Sequence, residues 1–262
     1  MQHMKSIVVS NELRYSETIS PLIYGEFIEP LNDLIPGMWA EKVRDRSFEG
    51  VLQPAQVYPP GQDWVYPRWH TFTAAGIQFN HWPSQPNELE MITAGATLTL
   101  DAENPCVGRQ SARVTVHGAT QLPFTAGIAQ PDIAVQAGQV LNLELYLRGD
   151  AAATRDGRVT VMLGRNYGVF FRAYAQSTLS GLNQEWQCFS GTLTSSVTDE
   201  HATLAIGLPQ PGTFWVDKVS LMPQDALHGW RPDVVQAIRA LKPGIIRFGG
   251  SSLIFYDWRA GV

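Results

Sequence analysis

The stretch RPDVVQAIRALKPGIIRFGG, residues 231–250, predicts a helix followed directly by a buried strand. Pro232 suits the first helical turn, Asp233 suits its positive amino end, and Pro243 ends the helix. The next segment, GIIRFGG, is an apolar β-branched run that ends at an arginine and glycines, as buried strands do at the rim of an α/β barrel. A helix that leads into such a strand is half of a β/α unit, so a parallel partner strand is expected upstream.

A short apolar segment near the amino terminus is the predicted partner. PLIYGEFIEP, residues 21–30, holds a run of apolar side chains that ends at Glu29 and Pro30, which indicates a buried strand. Because side chains alternate along a strand, Glu29 should share a face with Phe27, whereas Glu26 should lie on the opposite face. Glu29 therefore becomes a candidate site residue, because polar side chains at barrel strand ends line the active face.

The sequence around this segment shows little periodicity. Residues 5–19 alternate weakly and predict a leading strand at the apolar run 7–9. Residues 31–69 are rich in proline, glycine and aromatic side chains. They predict mostly loop, with one helical turn near 39–43.

From about residue 68 to residue 223 the chain alternates apolar and polar residues in short segments. These segments are 96–101, 111–118, 139–149, 157–164, 184–194, 201–208 and 212–222. Many short strands between turn residues predict an antiparallel sandwich, since each strand buries one face. The predicted fold class is therefore mixed: an antiparallel β-sandwich inserted between a barrel strand and the helix that follows it. The predicted domains are 1–67 (leading strand, first barrel strand and loop), 68–223 (sandwich) and 224–262 (first barrel helix and second barrel strand).

Composition excludes several classes of partner. The chain has 262 residues, 44% of them hydrophobic and 16% charged, with a net charge of -5. Its 19 basic residues form no runs, so neither nucleic acid nor an anionic membrane is an expected partner. No apolar stretch approaches the roughly 20 residues that span a bilayer. The amino terminus lacks the apolar core of a signal peptide, and the location stays open between cytoplasmic and secreted.

Two cysteines, Cys106 and Cys188, make neither a disulfide framework nor a zinc site. They could pair with each other, or remain as two free thiols.

Several segments together resemble a known family. They are YGEFIEP (24–30), RSFEG (46–50), FWVDKVSLMP (214–223), GWRPDVVQAIRALKPGIIRFGG (229–250) and YDW (256–258). In this order and spacing they resemble the amino-terminal portion of glycoside hydrolase family 51, the α-L-arabinofuranosidases. The resemblance implies a jelly roll, similar to carbohydrate-binding module family 4, placed between the first strand and first helix of a (β/α)8 TIM barrel. The chain would then hold the first two barrel strands and the first barrel helix.

The resemblance also implies an activity and a partner. Family members act on arabinofuranosyl or related hemicellulose linkages, with retention, through two glutamates about 5 Å apart. Both glutamates would lie on later barrel strands, beyond Val262, so no catalytic residue is assigned here. The rest of the barrel would come from a companion chain, with a homo-oligomer as the other arrangement considered, and no cofactor is required.

Five residues are candidates for substrate binding by resemblance. Glu29 matches a sugar-hydroxyl acceptor, and Arg247 matches an arginine that braces the pocket, although the two could form a structural ion pair instead. Ser252 stands where the family often has an asparagine, and it offers one hydroxyl in place of an amide. This difference leaves two alternatives: strict arabinofuranose specificity, or a roomier pocket that accepts another furanose or a glucan or xylan chain. Asp257 and Trp258 match a family pair, with local loop packing as the alternative.

The sandwich offers its own candidates. Asp217 resembles an aspartate that such jelly rolls use for a structural calcium ion. Tryptophans that could stack on sugars are Trp64, Trp69, Trp82, Trp186 and Trp215. Because Trp215 lies between Phe214 and Val216 in a strand, it is expected in the core.

Two other functions compete with the glycosidase hypothesis. The sandwich could be a non-catalytic carbohydrate-binding protein in its own right. Alternatively, it could be purely structural and join barrels into an oligomer.

Overall fold

The computed structural model describes residues 18–28, 38–49, 70–73, 76–77, 91–92, 95–118, 126–166 and 171–248. The leading strand predicted at 7–9 lies outside these residues. The chain divides into two compact units. The smaller unit contains Met1–Met38 and Asp233–Val262, and the larger contains Trp39–Pro232.

Short strands dominate the described structure. The strands are β1 (Glu26–Ile28), β2 (His70–Thr73), β3 (Gly76–Ile77), β4 (Met91–Ile92), β5 (Ala96–Asp101), β6 (Ser111–Val116), β7 (Ala126–Val135), β8 (Val140–Gly149), β9 (Arg158–Asn166), β10 (Phe171–Ser180), β11 (Gln187–Thr194), β12 (Asp199–Leu208), β13 (Gly212–Pro223) and β14 (Ile246–Phe248). The helices are a 3-10 turn at Pro21–Tyr24, α1 (Ala153–Asp156) and α2 (Pro232–Leu241). Among the described residues, no helix has the length and apolar character needed to cross a bilayer.

The smaller unit is built on a parallel pair of strands. β1 and β14 lie side by side with Phe27 opposite Arg247, and the Glu26 N–H donates to the Ile245 carbonyl oxygen at 2.9 Å. The whole larger unit separates these two strands along the chain. The prediction of a parallel β/α unit interrupted by a sandwich is therefore confirmed.

Helix α2 has the predicted ends. It starts at Pro232 with Asp233 in its first turn, and it stops at Leu241 because Lys242 adopts a left-handed conformation with φ 48° before Pro243. The connection to β14 passes close to the turn before β1. A Cβ atom at Gly244 would collide with the carbonyl oxygen of Pro21, so only glycine fits there.

The larger unit is a sandwich of two antiparallel sheets. The first sheet has the strand order β10-β9-β12-β7-β2-β3, and the second has the order β11-β8-β13-β6-β5-β4. The core lies between them, and alternate residues of each strand enter it. The largest fully buried side chains include Ile128, Leu145, Leu163, Leu204 and Phe214.

Residues 39–49 form a strap across the sandwich. The N–H groups of Ala40 and Lys42 donate to the carbonyl oxygens of Gly229 and Leu221 at 2.8 and 3.0 Å. The helical turn predicted near 39–43 is therefore wrong: Met38 is helical, but the N–H groups of Ala40 and Lys42 bond to distant carbonyl oxygens and not within a turn.

The strap also reaches the core. Phe48 is 3% exposed and belongs with Val43 to the same hydrophobic cluster as the facing sheets. Sequence periodicity does not reveal this packing, since only two strap residues enter the cluster.

The variant Phe48→Ala tests the strap. It should lower the free energy of unfolding by about 3 to 5 kcal/mol, because it removes a buried aromatic ring from the core. Urea unfolding of the full chain measures the loss, with Leu227→Ala as a control, since Leu227 is 40% exposed. A loss of less than about 1 kcal/mol for Phe48→Ala would show that the strap is not part of the core.

Candidate functional site

The described part of the predicted pocket is the end of the parallel strand pair. Arg247 and Phe27 face each other across β14 and β1, and the Arg247 Cζ atom lies 4.9 Å from the centre of the Phe27 ring. Both side chains are exposed. A guanidinium over an aromatic face has a restricted orientation, so Phe27 positions Arg247 on that face of the pair.

The other four predicted pocket residues, Glu29, Ser252, Asp257 and Trp258, lie outside the described residues. Their positions relative to Arg247 are therefore not described, and their roles stay predictions.

Apolar side chains of the smaller unit are exposed around this strand pair. They are Ile19, Leu22, Ile23, Tyr24, Phe27, Leu241, Ile245 and Ile246, which are 45 to 70% exposed. Helix α2 has no buried residue. A two-stranded sheet with uncovered apolar faces is marginal by itself, so this unit presents surface that suits further packing.

Asp217, the predicted calcium ligand, is fully buried on the outer side of the second sheet. Its Oδ2 accepts hydrogen bonds from the N–H groups of Cys106 and Val107 at 3.0 Å each. Its Oδ1 accepts from the Lys218 N–H at 2.7 Å, and the Ser47 side chain adds a further bond.

This arrangement does not fit calcium. Calcium takes six to eight oxygen ligands, whereas three of the four hydrogen-bond partners described for Asp217 are N–H donors that point at its carboxylate. In the described ranges, no group of three His, Cys, Asp or Glu side chains could hold a metal ion. Burial raises the pKa of Asp217, and the hydrogen bonds from Val107, Lys218, Cys106 and Ser47 only partly oppose that effect.

Residues 46–49 of the segment RSFEG contact Asp217 and the residues around it. Arg46 Nε donates to the Val219 carbonyl oxygen at 3.0 Å, and Ser47 bonds to Asp217. Glu49 accepts hydrogen bonds from the N–H groups of Arg109 and Gln110. Since Phe48 fills the core, every residue from 46 to 49 has a structural contact. This part of the resemblance therefore reflects stability of the sandwich.

Trp215 lies on the outer face of the second sheet, so its prediction as a core residue is wrong. Phe214 and Val216 are fully buried, while Trp215 is half-buried, because successive side chains of a strand point to opposite faces. The Arg148 Cζ atom lies 4.0 Å from the Trp215 ring centre and 5.4 Å from that of Trp186.

The indole rings of Trp215 and Trp186 already make contacts within the protein. The Arg113 Cζ atom also lies 5.6 Å from the Trp215 ring centre, and Trp186 Nε1–H donates to the Asn104 carbonyl oxygen at 2.9 Å. Guanidinium groups over the rings compete with sugar stacking. The other stacking candidates, Trp64, Trp69 and Trp82, lie outside the described residues.

Asp101 contacts the same side chains. With Arg113, Arg148, Trp186 and Trp215 it forms a cluster on the outer face of the second sheet. Its Oδ2 accepts the Trp215 Nε1–H at 2.6 Å and lies 3.9 Å from a terminal nitrogen of Arg148. Burial alone would raise the pKa of Asp101. Hydrogen bonds from Trp215 and the Glu103 N–H, together with the positive Arg148 and Arg113, outweigh burial and hold that pKa below its usual value.

The first sheet carries a small polar depression of about 180 Å³. Its lining residues are Arg158, Thr160, Gln176, Thr178 and Pro209. This volume is below the roughly 300 Å³ at which small-molecule pockets begin, and the lining has no aromatic ring. The depression therefore does not favour binding of a sugar chain.

Comparisons with known proteins agree with the resemblance. No family model matches the chain. It is 26% identical over 246 residues to α-L-arabinofuranosidase 1 of Arabidopsis thaliana, a match that covers 92% of this chain and 33% of that protein. It is 25% identical over 254 residues to an extracellular exo-α-L-arabinofuranosidase of Streptomyces chartreusis, covering 92% and 26%. The chain thus spans about a third or less of the length of these relatives.

A solved structure shows the same fold. The arabinose-bound structure of a GH51 α-L-arabinofuranosidase aligns with a TM-score of 0.66 and 19% identity, over 94% of this chain and 38% of that one. The resemblance to family 51 α-L-arabinofuranosidases is confirmed, and it extends along nearly the whole chain.

The variant Asp101→Asn tests the cluster on the second sheet. It should lower the free energy of unfolding at neutral pH by about 1 to 2 kcal/mol, because an amide weakens the bonds to Trp215 and Arg148. Since the folded pKa of Asp101 lies below 3.8, its stabilisation is present above that value and is lost as pH falls through the folded pKa. Urea unfolding at several pH values should show the difference from wild type shrinking in acid.

The matched variant Asp217→Asn should change the pH dependence of the free energy of unfolding in the opposite direction. Because the folded pKa of Asp217 is raised, its ionisation weakens the fold as pH rises from 3.8 to the folded pKa. Asp217→Asn should abolish that decline. The same pH dependence in both variants would contradict these two environments.

Proposed function

We propose that this chain is the amino-terminal portion of a retaining glycoside hydrolase of the α-L-arabinofuranosidase kind. Its substrates are arabinofuranosyl side chains or related hemicellulose linkages. The observation that carries the proposal is the parallel pairing of β1 with β14 across an inserted sandwich. This pairing occurs in a chain that is similar to α-L-arabinofuranosidases over 92% of its length.

The proposed sugar pocket uses the carboxyl ends of the two strands. Parallel neighbours place these ends side by side, and barrel enzymes build their sites there. Arg247 lies on the same face as Phe27, and the period of two assigns Glu29, which follows β1 in the sequence, to that face as well. A guanidinium and a carboxylate would then bind sugar hydroxyls as donor and acceptor.

The proposed specificity follows from the residues after β14. Ser252, with Asp257 and Trp258, would complete the pocket beside Arg247. A serine hydroxyl is shorter than the asparagine amide often found in the family and makes fewer hydrogen bonds. We therefore expect weaker discrimination for arabinofuranose than the family usually shows.

The two catalytic glutamates are proposed to lie outside this chain. Retention requires an acid/base and a nucleophile about 5 Å apart, and the resemblance assigns both to later barrel strands. The barrel strands that carry them are the proposed partner of this unit, either in a longer product or in a companion chain. They would cover the exposed side chains of Leu22, Ile23 and Ile246, which self-association would otherwise have to cover.

An activity assay tests this proposal. The 262-residue chain should not hydrolyse nitrophenyl α-L-arabinofuranoside, because both catalytic glutamates are proposed to lie outside it. A longer product of the same gene, or the chain recombined with the remaining barrel, should hydrolyse it and retain the anomeric configuration, as followed by NMR. Absence of activity in every preparation, or inversion at the anomeric carbon, would overturn the proposal.

Arg247→Lys in the active preparation tests the pocket. The lysine keeps the positive charge but loses the planar fork that positions two donors, so kcat/KM should fall about 10- to 100-fold. Arg239→Lys, on the exposed surface of α2, is the matched control and should leave kcat/KM unchanged. Equal kcat/KM in both variants would remove Arg247 from the pocket.

A further inference from the structure

Three side chains form a row across the outer face of the second sheet. Cys188 of β11 is directly opposite Tyr146 of β8, and Tyr146 is directly opposite Asp217 of β13. Opposite residues in antiparallel strands point to the same face, with Cβ atoms about 5 Å apart. The Cys188 thiol therefore lies next to Tyr146, on the same face as the buried Asp217 carboxylate.

The crossing loop (residues 102–110) brings Cys106 to the same row. The Cys106 N–H donates to Asp217 Oδ2 at 3.0 Å, which anchors the backbone of the loop over the sheet. This contact places the Cys106 backbone beside Asp217 of β13, the strand next to the one that holds Tyr146.

A second contact joins the crossing loop to the residue that precedes β11. Trp186 Nε1–H donates to the Asn104 carbonyl oxygen at 2.9 Å. Cys188 follows Trp186 by two residues, and Cys106 follows Asn104 by two residues. This bond holds the crossing loop beside the residues that lead into β11, close to both cysteines in the sequence.

The electrostatics of the thiols agree with this placement. Burial raises the pKa of Cys106, followed by the charges of Asp217 and Cys188, while Lys218 lowers it. Cys188 raises the pKa of Tyr146 through its charge and through a hydrogen bond, and Cys106 adds to the same effect. Cys188 thus acts on Cys106, and both thiols act on Tyr146.

We propose that Cys106 and Cys188, both free thiols in this structure, form a disulfide that fastens the crossing loop to β11 when the protein meets a small disulfide such as oxidised glutathione. This proposal is independent of the proposed glycosidase function. The exposed Cys188 attacks first, as a thiolate, and forms a mixed disulfide with release of one reduced glutathione. Cys106, which is half-buried, then attacks the Cys188 sulfur and releases the second. The two protons lost by the cysteines end on the two glutathione thiols.

Mass spectrometry of the full chain after incubation with oxidised and reduced glutathione tests the proposal. The expected product is about 2 Da lighter than the reduced chain, and its proteolytic map contains one peptide pair joined through Cys106 and Cys188. Because the bond restricts the unfolded chain, Tm should rise by about 5 to 10 °C and return on reduction. Amide hydrogens of residues 103–110 should also exchange more slowly in the oxidised form.

Two variants control the experiment. Cys106→Ser should stop at a single glutathione adduct on Cys188, with no rise in Tm. The double variant Cys188→Ser with Ser190→Cys keeps two thiols but moves one of them two residues along the same face of β11, and it should bridge at least tenfold more slowly. A wild-type chain that accumulates two separate glutathione adducts would overturn the proposal. Equally fast bridging in the shifted variant would also overturn it, since placement would then not matter.

Discussion

The pairing of β1 with β14 is the constraint on which the architecture depends. Two strands of three residues each come together although residues 39–232 fold as a separate compact unit between them. Such an insertion is tolerated because the entropy of closing a loop grows only slowly with its length. Among the described residues, the strand pair forms a sheet of its own, separate from the two sheets of the sandwich.

Within the sandwich, Asp217 has a comparable role. Its carboxylate ties together a bulge in β13, where Lys218 has φ 48°, the strap, and the crossing loop. Burying a charged group is unfavourable unless hydrogen bonds compensate. Here backbone N–H groups and the Ser47 side chain supply part of that compensation. An aspartate that resembles a calcium ligand in the sequence thus holds two irregular segments together through hydrogen bonds.

The sequence predicts the helices and strands that show hydrophobic periodicity or clear residues at their ends. Helix α2 and the parallel pair follow from Pro232, Pro243 and two apolar runs, and most sandwich strands follow from alternation. Five sandwich strands, β2, β3, β4, β7 and β10, were not predicted. β7 contains Pro131, which argues against a central strand, but a bulge with Asp132 at φ 61° accommodates it. Of the five pocket residues only Arg247 is described, and side-chain contacts such as Arg148 over Trp215 depend on register, which alternation alone does not fix.

The buried core and the proposed substrate-binding residue Arg247 lie in different units of the chain. The buried core of the described residues lies almost entirely within the sandwich and its strap, whereas the smaller unit, with Arg247, buries no side chain of β1 or α2. Preorganised binding groups require rigid support. Among the described residues, β1 and β14 pair with each other and with no strand of the sandwich, so the sandwich sheets give Arg247 no such support. The chemistry proposed for this chain therefore depends on surface that packs against the exposed apolar faces of the smaller unit, and on the order that such packing imposes on the strand ends.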